Sequence, residues 1–424
     1  MAEAVARIAS RSGLNGQRVH VVGAGLAGLS AALTLAAAGR AVTVLEAGPA
    51  AGGRCRSYFD RELGLRIDNG NHLLLSGNRA IFDYLDTIGA RSTLGGPALP
   101  LFPFIDVASG ERWTVRPNAG RVPWWIAVPF RRVPGTHAVD YLRLLRLSRV
   151  ANDATVSEMM PHGALYQRLI EPLAVAALNT PAHAGLARLL GAVVRETLMQ
   201  GGRACIPAYP RDGLSESLID PAIARLSKHG GEVLFSRRVT ALDIAADRVS
   251  ALRTTEGVVP VEQVVLAVPP WIAADLLPGT ATPTEFQAIL NIHFRIDADP
   301  GAAGFIGVIN GTAEWVFVKR GHVSVTISAA NRLVDEAADT IASAVWPDVR
   351  AALRLSGPKP AFRVVKERRA TFAATAAQER LRPRARTQFG NLTLAGDWTA
   401  TGLPATIEGA IRSGRTAAEL LLAR

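Results

Sequence analysis

The stretch RVHVVGAGLAGLSAALTLAAAGRAVTVLE, residues 18–46, sets the architecture of the chain. A short β-branched run is followed by a glycine-rich turn, a helix-length segment and a second β-branched run. This order predicts a β-strand, a turn, an α-helix and a parallel β-strand. The turn has G-x-G-x-x-G spacing at Gly23, Gly25 and Gly28, and Glu46 closes the second strand. The sequence therefore predicts an α/β fold with a Rossmann-like domain that binds a dinucleotide.

Each position in this turn has a mechanical reason. The first glycine permits the tight turn, the second lets the backbone approach a pyrophosphate, and the third lets helix and strand pack closely. The helix N-terminus presents free N–H groups to the phosphates. Glu46 can accept hydrogen bonds from a ribose with a free 2′-hydroxyl, which favours FAD or NAD over NADP. The predicted cofactor contacts in this segment are Gly23, Gly25, Leu26, Ala27, Gly28, Glu46 and Ala47.

A membrane-spanning helix is the alternative for the same segment. Residues 19–39 carry no Asp, Glu, Lys or Arg and are long enough to cross a bilayer. Such a helix would tolerate the glycine-rich turn poorly and would leave the acid at the end of the second apolar run unexplained. We therefore expect the phosphate-binding turn.

The composition bounds the size and the partners of the protein. A chain of 424 residues that is 49% hydrophobic exceeds what one core usually serves, so two domains are expected. Its 47 basic residues outnumber 36 acidic ones and give a net charge of +11, which suits an anionic surface. Because no nucleic-acid motif accompanies this charge, we expect membrane contact and no nucleic acid, with a merely soluble basic protein as the alternative.

Cysteine usage and the N-terminus indicate the compartment. Cys55 and Cys205 are too few for a disulfide framework or a zinc set, and no metal is expected. Residues 1–17 are polar and lack the apolar core of a secretory signal. A cytoplasmic location is the expectation.

The rest of the chain returns to the nucleotide domain twice. A helix and strands follow residue 215, and the C-terminal LTLAGDWTATGLPATIEGAIRSG is typical of a strand, a turn and a helix. We expect an FAD- or NAD-binding domain from residues 17–78, 201–275 and 386–424. Residues 79–200 and 276–385 would form an inserted α+β substrate domain. Alternating apolar residues between 289 and 329 predict a mostly antiparallel sheet there, and helices are expected at 141–150 and 333–346.

The segment VPWWIAVPFRRVPG, residues 122–135, has an unusual composition. It places two tryptophans and a phenylalanine beside two arginines. This composition suits a loop that rests on a membrane surface, with rings at headgroup depth and arginines on anionic lipid. A buried loop of the substrate domain is the alternative.

Three separated motifs together define a resemblance. The dinucleotide turn with Glu46, the Gly52-Gly53-Arg54 sequence and the C-terminal LTLAGDWTATGLPATIEGAIRSG resemble the FAD-dependent amine oxidase and phytoene desaturase superfamily over nearly the whole chain. The resemblance implies FAD. Because no cysteine or histidine follows His322, the C-terminal segment cannot supply a covalent flavin link, and we expect noncovalent FAD.

Finer motifs narrow the resemblance. DNGNH at 68–72, EPLAVAALNTP at 171–181, EWVFVKR at 314–320 and GDWTATGLPATIEGA at 396–410 resemble the squalene-associated FAD-dependent enzymes, the hydroxysqualene dehydroxylases. That family usually shows Gln where this chain has Asn71. Both side chains are neutral amides with the same donors and acceptors, so we expect the role to survive with a shorter reach.

The resemblance also implies roles for individual residues. Asp397 would contact the ribityl hydroxyls, the Thr406 and Ile407 N–H groups the flavin N1/O2 edge, and Val239 the adenine end. Arg54 would neutralise phosphate or hold the ribityl region. The further cofactor contacts are Gly53, Arg54, Gly70, Val239, Gly396, Asp397, Thr406 and Ile407, and the catalytic candidates are His72, Asp68 and Asn71. Trp315 would line an apolar tunnel or fill the sheet core.

The implied activity is reduction of hydroxysqualene to squalene by reduced FAD, in squalene and hopanoid biosynthesis. The implied partners are a polyisoprenoid substrate, an unidentified electron donor and other squalene-pathway enzymes, at the inner face of the cell membrane. Alternatives are a carotenoid or phytoene-type desaturase, a non-catalytic flavoprotein or an NAD-binding module. An amine oxidase is disfavoured because that branch commonly places a lysine near the flavin, and NIHFRID at 291–297 holds none.

Overall fold

A computed structural model describes residues 18–147, 149–150 and 152–423, so the N-terminal segment used for the compartment prediction lies outside the described residues. The strands of the described chain are β1 (Arg18–Val22), β2 (Ala41–Leu45), β3 (Ser57–Asp60), β4 (Leu65–Asp68), β5 (Leu74–Leu75), β6 (Leu94–Gly95), β7 (Phe102–Asp106), β8 (Arg112–Val115), β9 (Pro207–Pro210), β10 (Glu232–Leu234), β11 (Val239–Ala245), β12 (Arg248–Thr254), β13 (Gly257–Pro260), β14 (Gln263–Leu266), β15 (Phe286–Phe294), β16 (Phe305–Ile309), β17 (Trp315–Lys319), β18 (His322–Ile327), β19 (Phe362–Phe372) and β20 (Leu392–Leu394). The α-helices are α1 (Leu26–Ala37), α2 (Arg79–Ile88), α3 (Ala138–Leu142), α4 (Leu144–Leu147), α5 (Val156–Met159), α6 (Glu171–Leu178), α7 (Ala187–Glu196), α8 (Asp220–Lys228), α9 (Pro270–Leu276), α10 (Ala338–Leu353), α11 (Ala376–Arg380) and α12 (Ile407–Leu422).

A five-stranded parallel sheet collects strands from distant parts of the chain. Its order is β10-β2-β1-β14-β20, and every neighbouring pair is parallel. The two strands of the opening motif lie side by side, and strands from the middle and the C-terminus extend the sheet on both sides. The discontinuous Rossmann-like domain predicted from the sequence is confirmed.

Close backbone contact fixes the helices on this sheet. A Cβ atom added to Gly28 in α1 would lie 1.9 Å from the Gly23 carbonyl oxygen, so only glycine fits there. A Cβ atom added to Gly414 in α12 would lie 2.1 Å from the Ala27 carbonyl oxygen. Helices α1 and α12 therefore meet almost backbone to backbone, which joins the first and last segments of the domain.

The second large sheet has seven strands, in the order β19-β15-β18-β17-β16-β7-β8. Neighbouring strands are antiparallel except β16 and β7, so the predicted mostly antiparallel sheet is confirmed. One face is aliphatic and packs on α10. Cross-strand pairing puts Asn291 and His293 of β15, with Ser324 of β18, on the opposite face, which we call the site face.

Several sequence-based predictions of helices needed correction. The helix expected at 333–346 begins at Ala338 and continues to Leu353, and the one expected at 141–150 is broken at Arg143 into α3 and α4. Among the described residues, no helix is both long and apolar enough to cross a membrane. The first glycine-rich segment instead forms a strand and the 12-residue helix α1.

Replacing Gly414 with alanine tests the backbone contact between α1 and α12. The new methyl group has no room, so we expect G414A to lower the free energy of unfolding by about 1–3 kcal/mol in urea denaturation. Gly163→Ala is the matched control, because a Cβ atom there would meet nothing within 4 Å. Equal stability of G414A and G163A would contradict the close contact.

Candidate functional site

The carboxyl ends of the parallel strands bring three motifs to one edge. The turn after β1, Glu46 after β2 and Gly396 after β20 all lie there. The glycine pair at 52–53 folds back onto the turn: Gly52 N–H donates to the Ala24 carbonyl at 2.9 Å. A crevice at this edge is where open α/β sheets bind dinucleotides.

The first turn has room for a phosphate group. A Cβ atom added to Gly25 would meet nothing within 4 Å, so the backbone there borders open space. Leu26 and Ala27 begin α1, ahead of its first intrahelical hydrogen bond, which Leu29 N–H donates to the Gly25 carbonyl at 2.9 Å. Their N–H groups are therefore free for an anion in the way that helix N-termini bind phosphate.

Glu46 is oriented by the backbone around it. Its carboxylate accepts the N–H groups of Ala24 and Gly48, both at 2.8 Å. Each carboxylate oxygen has a second lone pair, so both remain able to accept from ribose hydroxyls. The structure thus places the acid beside the turn, as the spacing predicted.

The residues expected at the adenine end lie beside Glu46. The Glu46 N–H donates to Leu234 at 2.9 Å, and its carbonyl accepts from Arg237 at 2.8 Å. Val239, buried at the start of β11, follows this segment closely, and Ala47 is exposed on the other side of Glu46. Both positions lie at the outer end of the same edge.

Arg54 and Asp397 form an ion pair across 343 residues of sequence. The Arg54 Nη2 atom lies 2.6 Å from Asp397 Oδ1, and Nη1 donates to the Ala370 carbonyl at 2.5 Å. A Cβ atom on Gly53 would lie 3.8 Å from Gly25 Cα, so the dinucleotide turn, the GGR sequence and the GDW sequence are contiguous.

A buried arginine that the sequence analysis missed holds the loop after Asp397. The Arg382 side chain is fully buried and donates to the carbonyls of Asp397, Thr399 and Leu403 at 3.0, 2.5 and 2.8 Å. Its charge is balanced by Glu379 at 2.7 Å. The guanidinium fork can satisfy several carbonyls at once, so it fixes the backbone of the GDW loop.

The N-terminus of α12 completes this side of the site. The Thr406 hydroxyl caps the helix by accepting Gly409 N–H at 3.0 Å. Within the described chain, the N–H groups of Thr406 and Ile407 have no hydrogen-bond partner. They remain available at the positive end of the helix dipole, where negative charge on a ligand is stabilised. Gly396 is held at the base by its N–H bond to the Ser413 hydroxyl at 2.8 Å.

The loop at 68–72 meets the site face of the seven-stranded sheet. Asp68 is buried and accepts from the Ser57 hydroxyl at 2.6 Å and from Leu214 N–H at 2.9 Å, and it pairs with Lys319. Burial alone would raise the pKa of the Asp68 carboxyl, but Lys319 and the hydrogen bonds lower it below its ordinary value. The Asp68 carboxylate is therefore ionised at neutral pH and carries no proton to donate.

A buried lysine lies in the same sheet as β15. It is Lys319 of β17, two strands away. Its side chain is 8% exposed and is tied to Asp68. The alternation of EWVFVKR carried a signal, because Trp315 and Lys319 are four residues apart and share the site face.

Amides order the middle of the same loop. The Asn71 side-chain N–H₂ group donates to Ser324 at 2.7 Å and to Thr326 at 3.0 Å, and its Oδ1 atom is buried with no partner in the described structure. Asn291 donates to the Asn69 carbonyl at 3.1 Å, and its Nδ2 atom would lie 3.2 Å from a Cβ atom added to Gly70, which is a tight contact. The orphaned Asn71 oxygen is an acceptor available to a ligand.

His72 lies next to this network. Its ring is partly buried and makes no hydrogen bond to the described residues, and burial lowers its pKa to about 4. The ring is therefore neutral at physiological pH. It can donate one N–H hydrogen bond, but it does not carry the second proton of an imidazolium. His293 and His322 lie deeper in the site face, with ring centroids 5.5 Å apart, and burial lowers the pKa of both.

Beyond the polar strip, the site face becomes aromatic. Trp315 is buried against Phe104 and Phe305, with ring centroids 5.5 and 6.1 Å apart, and Phe104 stacks on Trp113 at 5.6 Å. These rings belong to a large buried cluster that reaches the helices between residues 138 and 190. Trp315 thus fills the core of the sheet, which is one of its two expected roles. A few polar groups next to a broad apolar wall are typical of a site for an apolar small molecule.

The residues at the sheet edge fit a flavin dinucleotide. The open turn at Gly25, the oriented Glu46 carboxylate and the unpaired N–H groups at α12 match the pyrophosphate, the ribose and the reduced ring, respectively. Fold and site define a flavin-dependent oxidoreductase, and FAD is its cofactor.

Comparison with known proteins agrees with this class. The family model described as flavin containing amine oxidoreductase matches residues 26–422, and the chain belongs to this family. It is 50% identical over 410 residues to the hydroxysqualene dehydroxylase of Rhodopseudomonas palustris, covering 96% of this chain and 98% of that protein. It is 48% identical over the same shares to the hydroxysqualene dehydroxylase of Sinorhizobium fredii. The predicted resemblance is confirmed.

A solved structure supports the fold. Cyclohexylamine oxidase from Brevibacterium oxydans superposes with a TM-score of 0.67 at 17% identity, over 96% of this chain and all of that one. At this identity the similarity speaks to the fold alone.

Protonation of His293 should weaken the protein in acid. Burial lowers the pKa of its ring to about 3, whereas an unfolded histidine titrates near 6.5. Below about pH 6.5 the unfolded chain takes up a proton that the folded ring refuses, so stability is full above that pH and falls as the pH drops toward 3. At pH 5 this histidine costs about 2 kcal/mol relative to pH 7.

His293→Phe removes that proton uptake. Neither ring nitrogen of His293 makes a well-formed hydrogen bond within the described chain, so phenylalanine removes at most a weak contact to the Asp68 backbone. Urea denaturation with saturating FAD should show a smaller loss of stability from pH 7 to pH 5 in H293F than in the wild type, by about 2 kcal/mol. His183→Phe, at an exposed position, controls for the change of side chain. An unchanged pH dependence in H293F would contradict the assignment.

Proposed function

We propose that the protein reduces hydroxysqualene to squalene in squalene and hopanoid biosynthesis. The observation that carries this proposal is 50% identity to a hydroxysqualene dehydroxylase over nearly the full length of both chains. The substrate would be a long hydrocarbon with one allylic hydroxyl group. The aromatic wall of the site face can pack against such a chain, and the polar loop at 68–72 is the place for its hydroxyl end.

In the proposed reaction a carbon–oxygen bond breaks, a carbon–hydrogen bond forms, and the hydroxyl leaves as water after taking one proton. FAD, when bound in its reduced form, supplies the hydride. The first turn, Glu46, Arg54, Asp397 and the N-terminus of α12 hold it. The protein otherwise aligns the allylic carbon and keeps bulk water away.

Three polar residues would act on the hydroxyl end. The orphaned Asn71 oxygen accepts from the hydroxyl, and the neutral His72 ring donates its N–H to the oxygen. Asp68 positions the loop through Lys319 and stays ionised. The neutral ring keeps its own N–H, so the proton that turns the leaving hydroxyl into water would come from a solvent water molecule beside the half-buried His72.

The cellular setting is part of the same proposal. Loop 122–135 would rest on the inner face of the cell membrane, where a hydrocarbon substrate partitions. Exposure of Trp124 and Phe130, at 52% and 76%, supports this position. Other squalene-pathway enzymes as partners remain a prediction.

Anaerobic turnover tests the activity. FAD-loaded protein incubated with hydroxysqualene and dithionite should release squalene, identified by gas chromatography. Protein with full flavin absorbance that forms no squalene would contradict the proposal. Conversion of phytoene to a more unsaturated product under oxidising conditions would instead indicate a desaturase, and reduced flavin that neither substrate reoxidises would indicate a non-catalytic flavoprotein.

His72→Leu tests the hydrogen bond to the leaving oxygen. Loss of the donor should lower kcat by about a hundredfold or more while the flavin absorbance is unchanged. His72→Gln keeps an N–H donor and should recover part of that loss. His183→Leu, at an exposed position, is the control. Wild-type kcat in H72L would exclude a role for this residue in the chemical step.

A further inference from the structure

The surface formed by residues 121–147 and 149, here called the basic apolar surface, exposes an unusual number of large apolar side chains. Twelve such side chains are exposed in the described structure, and half of them lie in this short segment. They are Val122, Trp124, Phe130, Val139, Leu142 and Leu145, with exposures from 44% to 76%. Exposed apolar side chains concentrated in one segment indicate a contact surface.

Helices α3 and α4 show that this exposure extends past the loop. Tyr141, Leu144 and Leu147, three residues apart, are buried in the aromatic cluster. Val139 and Leu142 lie on the outward side and are 58% and 51% exposed. An ordinary surface helix has polar residues on that side. The outward side therefore mixes apolar side chains with Arg143 and Arg146, a composition that suits a helix lying in a lipid interface.

The charges of the surface are one-sided. Residues 121–149 hold six arginines, no lysine and a single acid, Asp140. In the part of the chain that the structure describes, none of these arginines forms an ion pair, whereas Arg54, Arg188 and Arg412 elsewhere do. The Arg131 guanidinium lies 4.7 Å from the centre of the Trp124 ring. Arginines without ion pairs, next to exposed apolar side chains, indicate that this surface binds an anionic partner.

A cleft beside α3 and α4 has room for an anionic group. Arg146 and Arg149, with Asn152, line an open cleft of about 410 Å³. A lipid phosphate can take several hydrogen bonds from two guanidinium groups. The charge and the cleft thus lie next to the exposed apolar stripe.

We propose that the basic apolar surface docks the protein on a bilayer that contains anionic phospholipid. The proposal extends the membrane contact of loop 122–135 to α3 and α4, and it assigns recognition of the lipid headgroups to Arg143, Arg146 and Arg149. Docking itself does not depend on the redox reaction, and only the delivery of substrate rests on the proposed function. A second copy of this chain fits poorly, because a symmetric contact would face arginines with arginines.

The inward side of the surface leads toward the site. Trp125 packs edge-on against Tyr141 with ring centroids 5.0 Å apart, and both belong to the buried cluster that contains Phe104 and Trp315. Apolar core residues therefore extend without interruption from α3 to the site face.

Vesicle flotation tests the docking. FAD-loaded protein should float with vesicles of phosphatidylcholine containing about one-third phosphatidylglycerol and bind phosphatidylcholine alone at least about tenfold more weakly. Binding should weaken as salt rises above about 0.1 M, because exposed charges are then screened. Equal binding to both vesicles, or none to either, would overturn the proposal.

Double variants separate the contribution of the apolar side chains to membrane binding from that of the arginines. Trp124→Ser with Phe130→Ser should weaken binding at least about tenfold, and Arg143→Gln with Arg146→Gln by roughly thirtyfold. Phe59→Ser with Val258→Ser is the apolar control, since both residues are 61% exposed elsewhere. Arg61→Gln with Arg225→Gln removes the same charge from other exposed positions. Controls that lose as much binding as the test variants would overturn the assignment to this surface.

Two further measurements distinguish a bilayer from a second copy of the chain and from a free anion. Gel filtration should give the same oligomeric state for the wild type and W124S/F130S, and a dimer that only the wild type forms would identify the surface as a contact between copies. Inorganic phosphate should not compete at concentrations matching the lipid phosphate, and full competition would reduce the site to free-anion binding. If the dehydroxylase activity is present, W124S/F130S should lose turnover with vesicle-bound substrate but not with substrate in detergent.

Discussion

The ion pair between Arg54 and Asp397 is the contact on which the site depends. It joins the second glycine turn to the C-terminal strand–turn–helix at 2.6 Å, although 343 residues separate them in sequence. An arginine partly covered by protein and facing a nearly buried carboxylate is costly to separate, since either partner alone would be an uncompensated charge. Arg382 then fixes the loop behind Asp397 through three carbonyls. The cofactor crevice is thus closed by electrostatics between remote segments, on a sheet that those same segments build.

The seven-stranded sheet shows how one backbone supports two chemistries. Side chains alternate along each strand, so the aliphatic face on α10 forms a core while the site face is free to vary. On β15 and β18 the site face is polar and meets the 68–72 loop. On β16 and β17 it becomes aromatic. The site face thus changes from polar to apolar across neighbouring strands. An elongated ligand could place its polar end at the polar strands and its hydrocarbon part along the aromatic strands.

The sequence predicted what local periodicity and turn chemistry determine. The parallel unit around Gly23, the discontinuous domain and the antiparallel sheet are in the structure because each depends on a few adjacent residues. Which remote groups would meet was not predictable. Arg382 precedes Pro383 in a segment without a pattern, and its role exists only because five acceptors converge there in space. Lys319 was quoted within a motif, yet its pairing with Asp68 required the register between β17 and the loop. The helix expected at 333–346 begins and ends later, at Ala338 and Leu353. Most helical stability in a protein comes from packing of the apolar face rather than from propensity, so the sequence alone located its ends poorly.

Burial of the polar groups on the site face determines their protonation states. Burial lowers the pKa of His72, His293 and His322, and Lys319 keeps Asp68 ionised, so none of these groups stores a transferable proton at neutral pH. A site that held a protonated acid beside an allylic alcohol would promote ionisation of the substrate whether or not a hydride donor was ready. Under the proposed function, neutral rings and a paired carboxylate would avoid that side reaction. Departure of the oxygen would then wait for the hydride donor, with His72 donating a hydrogen bond and solvent supplying the proton.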